Sequence, residues 1–472
     1  DQSTMKKTLL YSLAVLASIT LASCNGDYDD WANPQANEQE ASAAQYGITF
    51  TPGSEAVSSM SDNEDGIINL VQLNSTNDNV TGYTLRELKV NNEVIKGEIN
   101  GNSIQVSAKD LEKFLCDNSN SRACKTYDLK VESKVSINLE SGDVISINTA
   151  GETAGKLTTS PVPAIDENGY YMLGDINGKS WDATDPQYMN KIADGVYQLK
   201  VTTEKEKNWF KFYESSKYKY ENGDWTYIDS GALGCKENGC EDGSGYIYFN
   251  GDSWGKLQTM VIPGAGTWIV TLDMNNLTYS FAKPVLYMAG NANDWKQIDY
   301  LSSEDAVKYT GYMFLDGSGF KFCSQPNWDG TNYGGAFFGE ADDNIIMTQP
   351  AGYYKVDIDL SEKKYELTPI TTIGIIGDAT VNGWSGDDID MNYVPYNKET
   401  KEGRYWEVKD ITLKTGVIKF RANDDWAINW GGELDNLTSK GNPANIAVEE
   451  GKYDIKLYPW ADGYAKCEMT KK

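Results

Sequence analysis

Three stretches of the chain end in the same way, and that repetition limits the fold more than any single residue does. Gly266, Asp273 and Tyr279 stand seven and six residues apart, and Gly352, Asp359 and Tyr365 keep both spacings. Gly451, Tyr458 and Tyr464 keep them again but replace the Asp. Each ending alternates apolar and polar residues, as in Tyr353-Tyr-Lys-Val-Asp-Ile-Asp-Leu, followed by Ser-Glu-Lys-Lys and Tyr-Glu-Leu. This is the period-2 signature of a hairpin with one buried face. The pattern predicts an all-β chain carrying three tandem β-sandwich units near 168–283, 284–369 and 370–472, with helix almost absent.

The beginnings and middles of the units also correspond. Tyr171-Met-Leu-Gly-Asp leads to Trp181, Leu286-Tyr-Met-Ala-Gly-Asn to Trp295, and Ile373-Gly-Ile-Ile-Gly-Asp to Trp384. Each reads as a short strand, a glycine turn and a loop with one indole. A strand carrying Lys-Phe follows in each: Lys211-Phe212, Lys321-Phe322 and Lys419-Phe420, the last continuing to Arg421. A further ring comes next: Tyr218 in the first unit, Trp328 and Tyr333 in the second, Trp426 and Trp430 in the third. An aromatic face receives the C–H face of a pyranose, and Lys or Arg donates to its hydroxyls. Two rings set at an angle suit a curved glycan such as the helical α-1,4-glucan of starch. Rim packing of the rings and solvated strand faces for the lysines are the plain alternatives. Asn344 and Asn445, each ahead of an apolar strand, read either as sugar contacts or as turn residues.

The amino-terminal part has another character. Residues 1–4 read as an extension ahead of Met5. Lys6-Lys7, the apolar run from Leu9 to Leu21 and Leu-Ala-Ser-Cys24 read as an export signal over 5–23 ending in a lipidation site at Cys24. A plain secretory signal is the alternative. The apolar run is short for a membrane span, and lipid on Cys24 anchors without spanning. Residues 24–45 lack apolar periodicity and read as a flexible tether. Residues 46–160 show strand-like runs, a tight-turn signal at Asn91-Asn92 and one helix-like insertion, Ala108–Cys116. They predict an immunoglobulin-like spacer without tryptophan, and the whole chain is expected to be elongated.

Composition excludes several classes. The 472 residues contain no histidine, which removes His-based catalysis and His metal ligands. The net charge of −27 argues against nucleic acid as a partner. Cys116 with Cys124, and Cys235 with Cys240, are close enough in sequence to close small loops. No cofactor and no metal site is assigned; Asp342-Asp343 and Asp387-Asp388 read as solvated loops, with calcium binding as the alternative. A glycosidase needs two carboxylates flanking a cleft, and no carboxylate motif recurs in all three units, so no catalytic residue is assigned.

Signal, Cys24, acidic tether, spacer and three Trp-bearing sandwiches together resemble the SusE/SusF family of outer-membrane starch-binding lipoproteins. Three binding units match the three-module members of that family better than the two-module ones. The resemblance implies a non-catalytic protein exposed at the cell surface and lipid-anchored in the outer membrane. Its implied partners are starch or malto-oligosaccharides and other surface proteins of a starch utilisation system. Carried over, the glycan contacts are Trp181, Lys211 and Tyr218; Trp295, Lys321 and Trp328; and Trp384, Arg421 and Trp430. Tyr333, Asn344, Lys419, Trp426 and Asn445 are additional candidates. A surface protein for another polysaccharide and a protein-binding adhesin are the competing readings.

Overall fold

The computed structural model describes residues 42–63, 66–147 and 151–472. The signal segment, Cys24 and the tether as far as residue 41 lie outside the described residues. Two compact bodies result: residues up to 115 with 126–158, and residues 116–125 with 159–472. No described helix is long and apolar enough to cross a membrane.

The first body is a sandwich of two sheets. One runs Ile48–Pro52, Ile67–Ser75, Ser103–Ser107, Glu98–Asn100. The other runs Val57–Ser59, Gly151–Thr158, Thr126–Leu139, Val80–Val90, Glu93–Val94, with Val144–Ser146 beside Thr126–Leu139. Leu129, Val131, Val135 and Ile137 alternate along Thr126–Leu139 and are buried. They meet Ile68, Leu70 and Leu73 of the opposite sheet in one core. The helix extends over Ala108–Ser119.

The second body carries the repeated pattern. Residues 170–282 form two sheets closed over a core that includes Phe210, Phe212, Met260 and Val270. Residues 285–370 form one continuous eight-stranded sheet curled on itself around Met288, Phe320, Phe322 and Val356. Residues 373–471 form two sheets again. The repeated endings are hairpins: Gly266–Asp273 pairs with Thr278–Ala282, Gly352–Asp359 with Lys364–Ile370, and Gly451–Tyr458 with Lys466–Lys471. In the first two, Tyr279 and Tyr365 sit opposite Leu272 and Ile358. The third departs, because Tyr464 precedes its strand and stacks on Tyr300 with ring centroids 4.3 Å apart.

That contact belongs to a wider junction. Tyr312, Tyr353 and Ile370 of the second sandwich lie in the same buried cluster as Trp406, Phe420, Trp430 and Ile455 of the third. Tyr353 meets Trp406 edge-on at 5.3 Å, and Phe314 stacks on Tyr393 at 5.5 Å. Arg404 donates to the Ile298 carbonyl at 2.6 Å and pairs with Asp299 at 3.1 Å. The core of the third sandwich therefore extends across the boundary to take in Tyr312, Tyr353 and Ile370 of the second, which keeps a core of its own. Cys235 and Cys240 form a disulfide, whereas Cys116 and Cys124 are not bridged to each other.

Candidate functional site

Sheet register places the Lys-Phe pairs on one frame. Phe212, Phe322 and Phe420 stand opposite Met172, Met288 and Ile375, and all three phenylalanines are fully buried. Lys211, Lys321 and Lys419 each stand opposite the residue just before a strand-ending glycine: Leu173, Ala289 and Ile376. Successive strand residues face opposite ways, so each Lys is on the outer face. Arg421 shares that face. Its counterparts two positions on are Tyr213 and Cys323, so Lys419, not Arg421, is the repeated cation.

The same register corrects the reading of Trp430. It stands opposite Phe420, as Tyr333 stands opposite Phe322 and Leu233 opposite Phe212. Opposed residues share a face, so all three turn inward. Trp430 has no exposed surface and meets Tyr312 edge-on at 4.9 Å. It offers no face to a ligand and is a core residue at the junction. Tyr333 is half-buried against the core of the second sandwich, and burial raises its hydroxyl above the ordinary range.

The ring beside Trp384 is Trp426. After the Asn423-Asp424 turn, both at positive φ, Ala422 pairs with Asp425 but Arg421 pairs with Asn429. Trp426, Ala427 and Ile428 are thus surplus to the ladder, and this bulge carries Trp426 outward. Trp384 is 38% and Trp426 45% exposed; their centroids are 6.0 Å apart and their planes tilted by 38°. Beneath Trp426 lie the Arg421 guanidinium at 4.8 Å and the Lys419 ammonium at 6.0 Å. Lys419 is nearly buried and donates to the Asn442 and Asn429 side-chain oxygens at 3.0 and 3.5 Å. Burial without a carboxylate partner lowers its pKa. Arg421 is forked onto Asp388 by Nε and Nη2, at 2.7–2.9 Å. That hydrogen-bonded carboxylate raises the guanidinium pKa further. The Asp388 side chain is almost wholly buried, so it is not the solvated loop residue its sequence context implied. Asn445 is exposed.

The second sandwich repeats the arrangement in part. Lys321 lies 5.1 Å from the centre of the Trp328 ring, which is 46% exposed, and donates to the Asp342 carbonyl. Trp295 is half-buried in the left-handed region, with its indole N–H bonded to Asn291 at 2.7 Å. Among the described residues no ring contact joins Trp295 to Trp328. Asn344 is half-buried beside Gly319.

In the first sandwich the corresponding face is crowded. Tyr171, Leu173, Tyr213, Ile228 and Ala232 form a second buried cluster there, with Trp181, Tyr218, Tyr220 and Trp225 packed against it. Ile228 and Trp225 come from the long insertion after the Lys-Phe strand. Tyr218 is half-buried and donates to the Ala183 carbonyl at 2.6 Å, edge-on to Tyr171 at 5.3 Å. Lys211 and Trp181 remain half-exposed.

These observations define a class: an all-β protein of tandem sandwiches, the third presenting two angled indoles, one of them over two fixed cations. Comparison with known proteins then narrows it. Residues 24–159 match the family model described as outer membrane protein SusF, N-terminal domain, and residues 164–283 match SusF, first starch specific CBM. Outer membrane protein SusF of Bacteroides thetaiotaomicron is 27% identical over 503 aligned residues, covering 96% of this chain and 98% of that protein. The crystal structure of SusF from the same organism aligns at 20% identity and a TM-score of 0.44, covering 90% of this chain and all of that one. The chain belongs to the SusF family of outer membrane proteins.

Proposed function

We propose that the protein is a non-catalytic, lipid-anchored protein of the outer membrane that holds starch or malto-oligosaccharides at the cell surface for uptake, with one binding module in each of its last three sandwiches. The observation that carries this reading is the Trp384–Trp426 pair, two accessible rings at an angle, Trp426 lying over Arg421 and Lys419. Flat-faced rings take the apolar faces of consecutive glucose units, and their tilt follows the turn of an α-1,4-linked chain. The cations and the exposed Asn442 amide supply a polar edge for hydroxyls. In the second sandwich Trp328 and Lys321 take the same roles, with Trp295 as the outlying ring. In the first, Trp181, Lys211 and Tyr218 offer a narrower surface. Membership of the SusF family, and the match of the first sandwich to a starch-specific module, support starch as the glycan.

Several weak sites on one polymer strengthen one another through effective concentration. Affinity electrophoresis of the full chain in starch gels tests the reading. Retardation is expected, and it should weaken with Trp384→Ala and Trp426→Ala. A chain that migrates identically with and without starch ends the proposal.

A further inference from the structure

The Arg421–Asp388 fork is confined to the third sandwich, where it lies directly beneath one of the two exposed rings. Opposite Arg421 on the neighbouring strand is Gly374; the corresponding pairs are Tyr171 with Tyr213 and Tyr287 with Cys323. Gly374 makes room for the fork. A Cβ placed there would come within 2.4 Å of the Asp388 Cβ and 3.2 Å of a carboxylate oxygen. Asp388 thus reaches Arg421 over a strand position that must have no side chain.

The fork constrains the guanidinium in its own plane. Asp388 engages Nε and Nη2, while Nη1 takes no part in the pair. A bidentate carboxylate fixes orientation as well as charge. Trp426 needs such a floor. It lies in a bulge outside the ladder, tied by its carbonyl to the Asn429 side-chain amide at 2.9 Å. Its ring rests on the guanidinium at 4.8 Å. The tilt between Trp426 and Trp384 follows from where that cation is held.

We infer that Asp388 is a positioning residue for glycan curvature: by locking Arg421 under Trp426 it sets the angle between the two rings, and so the preference of the third site for a rigidly curved glucan. This rests on the glucan-binding reading above. A cyclic glucan has fixed curvature and cannot adapt to a changed angle, whereas a linear malto-oligosaccharide can. A residue needed only for folding, or only as charge, would affect both ligands alike.

The test uses the full chain labelled with 5-fluorotryptophan, whose Trp384 and Trp426 fluorine resonances, identified through Trp384→Phe and Trp426→Phe, report this site alone. Titrations with α-cyclodextrin and maltoheptaose are compared. In Asp388→Asn the dissociation constant for α-cyclodextrin should rise about tenfold, and that for maltoheptaose by roughly threefold or less. Gly374→Ala, which displaces the carboxylate without removing it, should change the ratio in the same direction. In an Arg421→Lys background, where the planar fork is already lost, Asp388→Asn should add no more than about twofold. Equal losses for the two sugars, or none, overturn the inference and leave the glucan reading standing. Wild-type resonances that respond to neither sugar overturn both.

Discussion

The first and third sandwiches are built on the same strand register and use it in opposite ways. Both place a Lys-Phe strand beside a strand ending in glycine, with Phe inward and Lys outward. In the third, the outer face stays open and supports two tilted indoles. In the first, an insertion brings Ile228 and Trp225 down onto it, and the rings pack with one another. A fold that fixes where a cation stands does not fix whether a ligand can reach it. The neighbouring loop decides that.

The largest effect that separates these roles is expected at Trp430. Trp430→Ala empties a core position shared by two sandwiches and should cost about 3–5 kcal/mol in chemical denaturation. Binding would then fail through unfolding. Trp384→Ala and Trp426→Ala should instead weaken third-site glucan binding about tenfold or more. The denaturation midpoint should barely move, because both rings are substantially exposed. If Trp430→Ala kept stability but lost binding, the open and covered faces would have been assigned the wrong way round. A smaller effect is expected at Lys211→Ala, a loss of about twofold or less in starch retardation, against a clear loss for Lys321→Ala beneath its exposed ring.

The smallest effect lies where the compared regions meet. Glu304 pairs with Lys283 at the end of the first sandwich and with Lys440 of the third. Burial alone would raise its carboxyl, but hydrogen bonds from the two lysines outweigh burial and hold it below the ordinary glutamate range. A lowered folded pKa stabilises the native state above about pH 4.5, and that contribution is lost as pH falls through the folded value. Glu304→Gln should flatten the fall in melting temperature below that pH. The change should be only a few tenths of a kcal/mol, because the pair is largely solvent-screened. A slope identical to wild type would mean that Glu304 adds no pH-dependent stability at this corner.

Much of the fold was legible because large apolar residues alternate. Thr126–Leu139 and the three terminal hairpins announce themselves in this way. The strand Gly151–Thr158 did not, because its buried face is Gly151, Thr153, Gly155 and Leu157. Gly151 is small because the Phe50 ring fills the space its Cβ would take. At the site, the Lys-Phe frame and Trp384 could be read from spacing, whereas the choice between Trp426 and Trp430 could not. It depends on three surplus residues in a hairpin, and a bulge reverses the parity by which strand faces are counted. Counting back from Phe420 across the two-residue turn at Asn423-Asp424 would have required knowing that the surplus fell after Asp425. Asp388 was hidden for a different reason. Its loop is acidic and polar, and only the missing side chain of Gly374, on a strand elsewhere in the sequence, lets it approach Arg421.

The buried junction between the last two sandwiches has a consequence for how such a protein can be divided or inherited. Tyr312 and Tyr353 are supplied from one side of the boundary and Trp406 and Trp430 from the other. The third sandwich is therefore not a cassette that can be cut out near residue 370 and grafted elsewhere. The smallest transferable piece runs from about residue 284 to the last strand, and a fusion or gene rearrangement that kept less would inherit a binding loop without the floor it stands on.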